Sequence, residues 1–413
     1  MRQIVTGSIA TDHLMVFPGR FTEQLVQGKL DKVSLSFLVD ELEIHRGGIA
    51  ANVAFGLARL GLRPILVGSV GADFAGYRAW LEAHDVDTRH VRVSGSLHTA
   101  RFLCTTDADN NQIASFYAGA MNEARHIDLA AILRSERDAD VVLICPDDPD
   151  AMLRHTQACR DCAVPFAADP SQQIARMDGT DLRRLVDGAR YLFTNEYERA
   201  LLIRKTGWDT GQLLRRVGAW VTTTGPDGAV VESATQPAVS VPAAALRQAV
   251  DPTGAGDAFR AGFLAGIGHG LGHEGAARLG CAMAAQVIET SGTQEYEFRP
   301  EELLARLSQS YGSGVAAEMS ARIRPARAGT LPVLKDAAPH SEETRWATSA
   351  ASAWSAPASW ARASPKCVPG PAWTCSWLRS ASRRREQART AWPVHCSGRS
   401  TRESSRRPTG TRR

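Results

Sequence analysis

No stretch of the 413 residues approaches the run of about 18 apolar residues that a membrane-spanning helix requires, which excludes an integral helical membrane protein. The chain also lacks Gly-x-x-x-x-Gly-Lys-Ser/Thr, and this removes the P-loop route to phosphate chemistry. Its eight cysteines are irregularly spaced. The one close pair, Cys159-Arg-Asp-Cys162, sits in a helical pattern without a second pair at metal-ligand spacing, so neither a zinc ribbon nor a disulfide scaffold is expected. The N-terminus shows no charged, apolar, small-residue leader, and with free thiols this predicts a cytoplasmic location.

Residues 325–413 are short of what a core needs. They hold six Leu and Val and no Ile, Phe or Tyr, yet six of the nine tryptophans. Sixteen Lys and Arg against five acids give this segment a net +11, while the other 32 basic and 39 acidic residues leave 1–324 at −7. The overall +4 describes neither part. Such a composition cannot bury enough apolar surface to offset chain entropy, so 325–413 reads as a disordered basic tail rich in Arg, Ser and Trp, of the kind an out-of-frame reading of a GC-rich gene produces. The rival reading is a basic, aromatic RNA-binding arm. For the acidic body no nucleic-acid partner is expected, because it lacks the positive footprint that phosphates require.

Through residues 1–324, short apolar runs alternate with helix-period stretches, and 4–8, 64–67, 141–145, 164–167, 191–194 and 220–223 read as buried strands. This repetition predicts an α/β fold with a mainly parallel central sheet covered on both faces, and ligands at the carboxyl ends of its strands. Two stretches alternate with period 2 instead, 32–43 and 100–117, the second broken by the turn cluster Asp107-Ala-Asp-Asn-Asn111. They predict a small separate sheet, drawn from about 13–45 and 97–118, that is a lid, a dimer surface or both.

Asp251-Pro-Thr-Gly-Ala-Gly-Asp257 runs straight into a helical pattern. Small residues let the chain turn tightly and present the N–H groups of Gly254, Ala255 and Gly256 at a helix N-terminus, where the dipole favours negative charge. A carboxylate closing such an anion cradle would repel a phosphate unless it has a chemical task, and taking the proton of an attacking hydroxyl is one. In isolation, Gly-x-Gly-Asp is more often a turn followed by a first-turn helix acid. Here Arg46-Gly-Gly-Ile-Ala-Ala-Asn52 accompanies it, setting two glycines before a second helix whose first turn carries an amide suited to hydroxyl groups. Gly270-Leu-Gly-His-Glu-Gly275 matches a dinucleotide fingerprint but follows no strand, and reads as a helix–helix turn. Asp147-Asp148-Pro-Asp150 reads as a loop and helix cap rather than a cation site.

In this combination the chain resembles the ribokinase-like (PfkB) family of sugar and nucleoside kinases over about residues 3–320, with Gly47-Gly48 to Asn52 as the first signature and 251–257 as the second. The resemblance implies a three-layer α/β/α sandwich with a β-sheet lid, and ATP as co-substrate. It also implies Asp257 as catalytic base, with Gly254, Ala255 and Gly256 stabilising the transferring charge. Asn195-Glu-Tyr-Glu198 resembles the family's Asn-x-x-Glu element, which implies Mg²⁺ organised by Glu198 through water, with Asn195 on the ATP side. Thr223-Thr-Gly225-Pro-Asp-Gly228 is similar to the loop beside ATP. K⁺ near the Asp251 loop is implied by the resemblance alone.

Within the family, Thr6-Gly-Ser8-Ile-Ala-Thr-Asp12 and Phe166-Ala-Ala-Asp-Pro-Ser-Gln172-Gln173-Ile-Ala-Arg176 are most similar to bacterial adenosine kinases of the actinobacterial type. The implied reaction is transfer of the ATP γ-phosphoryl group to the 5′-hydroxyl of adenosine, a purine-salvage step. Asp12, just beyond the first strand, would take ribose hydroxyls together with Ser8, Gly48 and Asn52. Gln172, Gln173 and Arg176 would meet the purine edge, and Phe102 and Phe116, one on each arm of the 100–117 hairpin, would sandwich the ring. The Phe and Gln pairs separate this reading from a ribokinase-type sugar kinase. A ligand-binding relative is the non-enzyme alternative, and the intact base and metal elements stand against it.

Overall fold

The computed structural model describes residues 2–25 and 35–323, and the segment 325–413 read as a tail lies outside them. The described strands are β1 (Arg2–Thr6), β2 (Ala10–Val16), β3 (Glu41–Gly47), β4 (Ile65–Val70), β5 (Val91–Val93), β6 (Ala100–Thr106), β7 (Gln112–Tyr117), β8 (Ala139–Ile144), β9 (Phe166–Ala168), β10 (Tyr191–Asn195), β11 (Ala219–Thr223), β12 (Ala229–Glu232) and β13 (Val239–Val241). Nine of them form one sheet in the order β13-β12-β11-β10-β9-β8-β1-β4-β5. It is parallel from β11 to β5, with β12 and β13 added antiparallel at one edge.

The central strands are apolar on both sides because both faces are covered. Along β8, Val141 and Leu143 turn to one core while Val142 and Ile144 turn to the other. Phe193 and Val221 part from Leu192 and Trp220 in the same way. The first core is closed by the helices Ile49–Arg59, Ala255–Gly268 and His273–Ile288, the second by Pro149–Asp161, Gly179–Val186 and Glu196–Thr206. Three layers result, as expected. A Cβ on Gly262 would fall 2.7 Å from the Gly280 Cα, so the two longest helices touch through backbone and a methyl there would force them apart.

The six runs read as strands are β1, β4, β8, β9, β10 and β11, with ends displaced by up to three residues. The strands β5, β12 and β13, at or next to the sheet's edges, are too short to show a period. Residues 270–275 join two helices with no strand before them, and Asp148 caps the helix Pro149–Asp161 by accepting the Ala151 N–H at 3.2 Å, so both bland readings hold. Cys159 and Cys162 are free thiols. Among the described residues no helix is long and apolar enough to cross a membrane.

The second sheet has the order β3-β2-β6-β7. Two expectations about it need correction. In the 32–43 segment, 32–34 lie outside the described residues, 35–40 carry no strand, and pairing runs instead from Glu41 to Gly47 because β2 offers partners only from Val16 back to Ala10. Asp12 lies inside a strand rather than beyond one: after Thr6 the chain crosses in three residues to the second sheet and pairs again from Ala10. The 100–117 hairpin is β6 and β7, and Asp107 closes its turn by accepting the N–H groups of Asp109 and Asn111 at 3.0 and 2.8 Å.

Candidate active site

The parallel strands end on one edge, and the turns there carry Ser8 after β1, Asp169 after β9, Asn195 closing β10 and Thr223 closing β11. Strand order reverses at β1, which lies between β4 and β8, so this edge holds a topological switch point, where open α/β sheets leave a crevice for ligands. Ser8 Oγ accepts the Ile49 N–H at 3.1 Å and so anchors the start of the helix Ile49–Arg59. One turn on, Asn52 Nδ2 donates to Asp257 Oδ2 at 2.9 Å. The two signatures, 205 residues apart, therefore meet.

Two glycines permit that meeting. Gly48 has φ +92° and a Cβ there would lie 2.6 Å from the Ala10 N and the Ser8 O, while Gly254 has φ +78° and a Cβ would lie 2.9 Å from Thr293 Cγ2. Each needs both the left-handed backbone and the missing side chain. Gly254 ends the loop and the helix Ala255–Gly268 starts at once. The Ala255 N–H turns back onto the Pro252 O at 3.2 Å, whereas those of Gly254 and Gly256 have no acceptor among the described residues. Two of the three cradle donors thus stay open to an anion at the positive end of the helix. Asp251 holds the loop: its Oδ1 accepts the Thr253 N–H at 2.9 Å and its Oδ2 the Gly292 N–H at 3.3 Å.

Burial pushes the Asp257 carboxyl up to about 6, against the pull of the Arg260 guanidinium and the Asn52 amide, with Glu198 adding to the rise. A proton acceptor poised near neutral pH is what general-base work asks for. Arg260 is buried and grips Asp169 with Nη2 at 2.7 Å and Nε at 2.6 Å, while Nη1 donates to the Gly256 O at 2.9 Å. Only the Nη2 contact is a hydrogen bond, the Nε one being a charge contact, and the ion pair steadies the guanidinium that holds the loop carbonyl and sets a positive charge behind the cradle.

The second sheet supplies a row of side chains. Asp12 pairs with His45 on one side and Phe102 on the other, and Phe102 pairs with Phe116, so His45, Asp12, Phe102 and Phe116 share one face. Asp12 lies against the two glycines: a Cβ on Gly47 would sit 2.8 Å from its Oδ2. Burial pushes its carboxyl up to about 6, His45 opposes the rise, and the charges of Asp257, Glu295 and Asp251 add to it. This face therefore looks onto the Asp257 loop. Phe116 is 54 % exposed and no core claims it. The register sets the two rings side by side as a wall, not opposite each other as the jaws of a sandwich, because direct cross-strand neighbours stand too close to admit a third ring.

Of the other expected residues, Gln172 and Arg176 are exposed at the short helix Gln173–Arg176. Gln173 is buried, with Nε2 on the Asp147 O at 2.7 Å and Oε1 unpartnered. The Asn195–Glu198 element is a capping box, in which Asn195 Oδ1 accepts the Glu198 N–H and Glu198 Oε2 accepts the Asn195 N–H, both at 2.8 Å. Glu198 Oε1 keeps only a 3.3 Å bond from the Ser171 hydroxyl. Among the described residues no group of three or more acids, histidines or cysteines could cage a metal. One half-free carboxylate beside an anion cradle is the donor set that suits Mg²⁺ bound mainly by phosphates and water. Thr223 and Gly225 lie at the end of β11, while Gly228 (φ +102°) also has a packing reason, since a Cβ there would lie 2.1 Å from the Val241 O.

The structure adds residues that no motif marked. Thr293 Oγ1 and Gln294 Nε2 both lie 2.9 Å from Asn52 Oδ1, across 241 and 242 residues of chain, and Gln294 Nε2 also reaches the Tyr77 hydroxyl at 2.5 Å. Contacts of that range leave no local pattern. Asp169 sits inside the 166–176 segment and Arg260 three residues past the 251–257 motif, but their pairing is visible only in three dimensions.

A family model described as pfkB family carbohydrate kinase matches residues 6–299. A nucleoside kinase of Methanothermobacter thermautotrophicus is 32% identical over 269 residues, covering 64% of this chain and 85% of its own. The structure of Burkholderia thailandensis nucleoside kinase in complex with inosine superposes with a TM-score of 0.66 at 35% identity, covering 75% of this chain and 98% of that one. The nucleoside kinase of Methanocaldococcus jannaschii, described as an archaeal member of the ribokinase family, gives a TM-score of 0.66 at 26% identity, with 75% and 99% covered.

Proposed function

The chain belongs to the pfkB family of carbohydrate kinases, and from that premise we propose that it is a nucleoside kinase, transferring the ATP γ-phosphoryl group to the 5′-hydroxyl of adenosine to give AMP and ADP. The observation that carries this reading is the row His45–Asp12–Phe102–Phe116: a carboxylate for sugar hydroxyls, with two aromatic rings beyond it that a free sugar would not need. The nucleoside kinases among the relatives support the same acceptor class.

In the proposed reaction the 5′-oxygen attacks the γ-phosphorus, its proton passes to Asp257, and the bond to the bridging oxygen breaks to release ADP. Asp12 accepts the ribose hydroxyls, and the second Nδ2 hydrogen of Asn52 is free to join it. The open N–H groups of Gly254 and Gly256 meet the charge that gathers on the transferring group. Gln172, Gln173 and Arg176 flank the purine edge, and Asn195, Thr223, Gly225 and Gly228 the nucleotide. Mg²⁺, held by Glu198 through water, would neutralise phosphate charge, and K⁺ would sit beside the Asp251 loop. The lid face opposite Asp12 exposes Leu42, Ile44, Ile113 and Tyr117, and we extend the proposal to a homodimer through that face.

ADP release with adenosine, inosine, cytidine and ribose tests the reading. Adenosine is expected to show the highest kcat/KM. Preference for inosine or cytidine would keep the nucleoside class and remove adenosine, and preference for ribose would overturn both.

A further inference from the structure

We propose that Gln294 and Tyr77 are positioning residues that fix which way the Asn52 amide faces, and through it aim and tune Asp257. The inference rests on the reading of Asp257 as the base. It follows from where the protons must lie. The Tyr77 hydroxyl is 2.9 Å from the Gly47 carbonyl, which can only accept, so the phenol donates there. Its oxygen must then accept from Gln294, and the Gln294 atom 2.5 Å away is Nε2. The remaining Nε2 hydrogen needs an acceptor, which makes the Asn52 atom at 2.9 Å the carbonyl Oδ1. Asn52 Nδ2 is thereby turned onto Asp257 Oδ2 as a donor. A backbone carbonyl at the end of β3 sets the direction of the whole chain of bonds. Thr293 does not decide the orientation, because its single hydroxyl hydrogen serves either the Arg46 O at 2.8 Å or Asn52 Oδ1 at 2.9 Å; Gln294 does.

Two further observations favour positioning over packing. Gln294 is 1 % exposed, yet its Oε1 has no partner. A side chain kept only to fill space would be apolar there, whereas this one tolerates an orphaned acceptor while placing both donors. Burial also holds the Tyr77 phenol far above its ordinary range, so it remains a donor at every working pH.

The relay acts on a carboxylate that other groups face too: Arg260 on its own helix, Glu198 on the helix Glu196–Thr206, Asp12 on β2, and Asp169 and Cys145 beyond β9 and β8. None of these changes when Gln294 is replaced. Loss of an amide donor disfavours the ionised form, so the pKa of Asp257 must rise.

The experiment is the pH profile of kcat at saturating ATP and nucleoside for Gln294→Met, Tyr77→Phe and Asn52→Ala. It is read beside carbon-13 NMR titration of the aspartate carboxyls, with Asp257→Asn identifying the resonance. Gln294→Met should move the acid limb and the Asp257 titration up by about half a unit to one unit, with KM for ATP unchanged. Tyr77→Phe loses a single oxygen and should give a smaller shift of the same sign. Combined with Asn52→Ala, neither should add to the shift that Asn52→Ala gives alone. Lower turnover or a lower thermal midpoint with both titrations unmoved would reduce these residues to packing and overturn the relay. If Asp257→Asn keeps its turnover, the base assignment fails instead, and the two failures are told apart.

Discussion

Around Asp257 the chain presents backbone: two glycines in left-handed conformations, two open N–H groups and a helix end, with Arg260 and Asp169 locked behind them. On the lid sheet it presents side chains, one from each of four strands, with the rings partly in solvent. The first construction admits almost no variation, because each Cβ and each N–H is placed by neighbours a few ångströms away. The second keeps its backbone ladder whatever the side chains are. In the proposed reaction, chemistry is thus tied to the rigid half and acceptor choice to the half that can change cheaply.

The largest expected effect breaks the rigid half. Asp257→Asn should lower kcat by roughly a hundred- to ten-thousandfold while nucleoside binding survives, measured by steady-state kinetics and calorimetry. A carboxyl raised in the folded state binds its proton better folded than unfolded. Its contribution therefore favours folding below its ordinary 3.8 and is lost as pH rises through about 6. Turnover runs the other way, failing below about pH 6 as the base protonates. The same Asn variant, having no buried charge to keep, should melt higher at pH 8 by roughly 1–2 °C, the equivalent of about 1 kcal/mol in a domain of this size.

Asp12→Ala tests whether the lid row serves the acceptor alone. KM for the nucleoside should rise on the order of 10- to 100-fold, as expected for losing hydrogen bonds to a charged group, with KM for ATP unmoved. Equal losses for both substrates would assign Asp12 to folding. Phe116→Leu should raise KM for adenosine by about fivefold, the lower end of what stacking on a base contributes, and leave the melting point alone because the ring is exposed. The smallest effect belongs to residues 325–413. Their composition predicts that a chain ending at residue 324 keeps its kcat and thermal midpoint, while losing the salt-sensitive retention on RNA or anionic resin expected of a +11 segment.

What could be read from sequence follows the same division. The central strands were legible because burial on both faces makes each a continuous apolar run, and the cradle because its Gly-x-Gly-Asp, ambiguous alone, is accompanied by the Gly47-Gly48 to Asn52 motif. The lid was legible only in part. Its hairpin is local, and Asp107 with two asparagines marks the turn, but β2 and β3 are joined through the stretch that includes 26–34, and nothing in 32–43 reveals that pairing starts at Glu41. Asp12, singled out as a candidate site residue, was misplaced by one element, since a single acid after a strand carries no sign of a second sheet. Thr293, Gln294 and Tyr77 left no trace, because their partners lie more than 200 residues away or across a helix.

One side chain outside both regions has two tasks in the proposed site. Glu198 closes the N-terminus of the helix Glu196–Thr206 with Asn195, and it is also the carboxylate proposed to hold Mg²⁺ through water. On the proposed role, a library that samples position 198 should deplete variants for two reasons at once, poorer yield and poorer turnover. Fitness at that site will look like catalytic necessity even where the loss is one of soluble protein. Abundance has to be scored in parallel before selection there can be assigned to the metal.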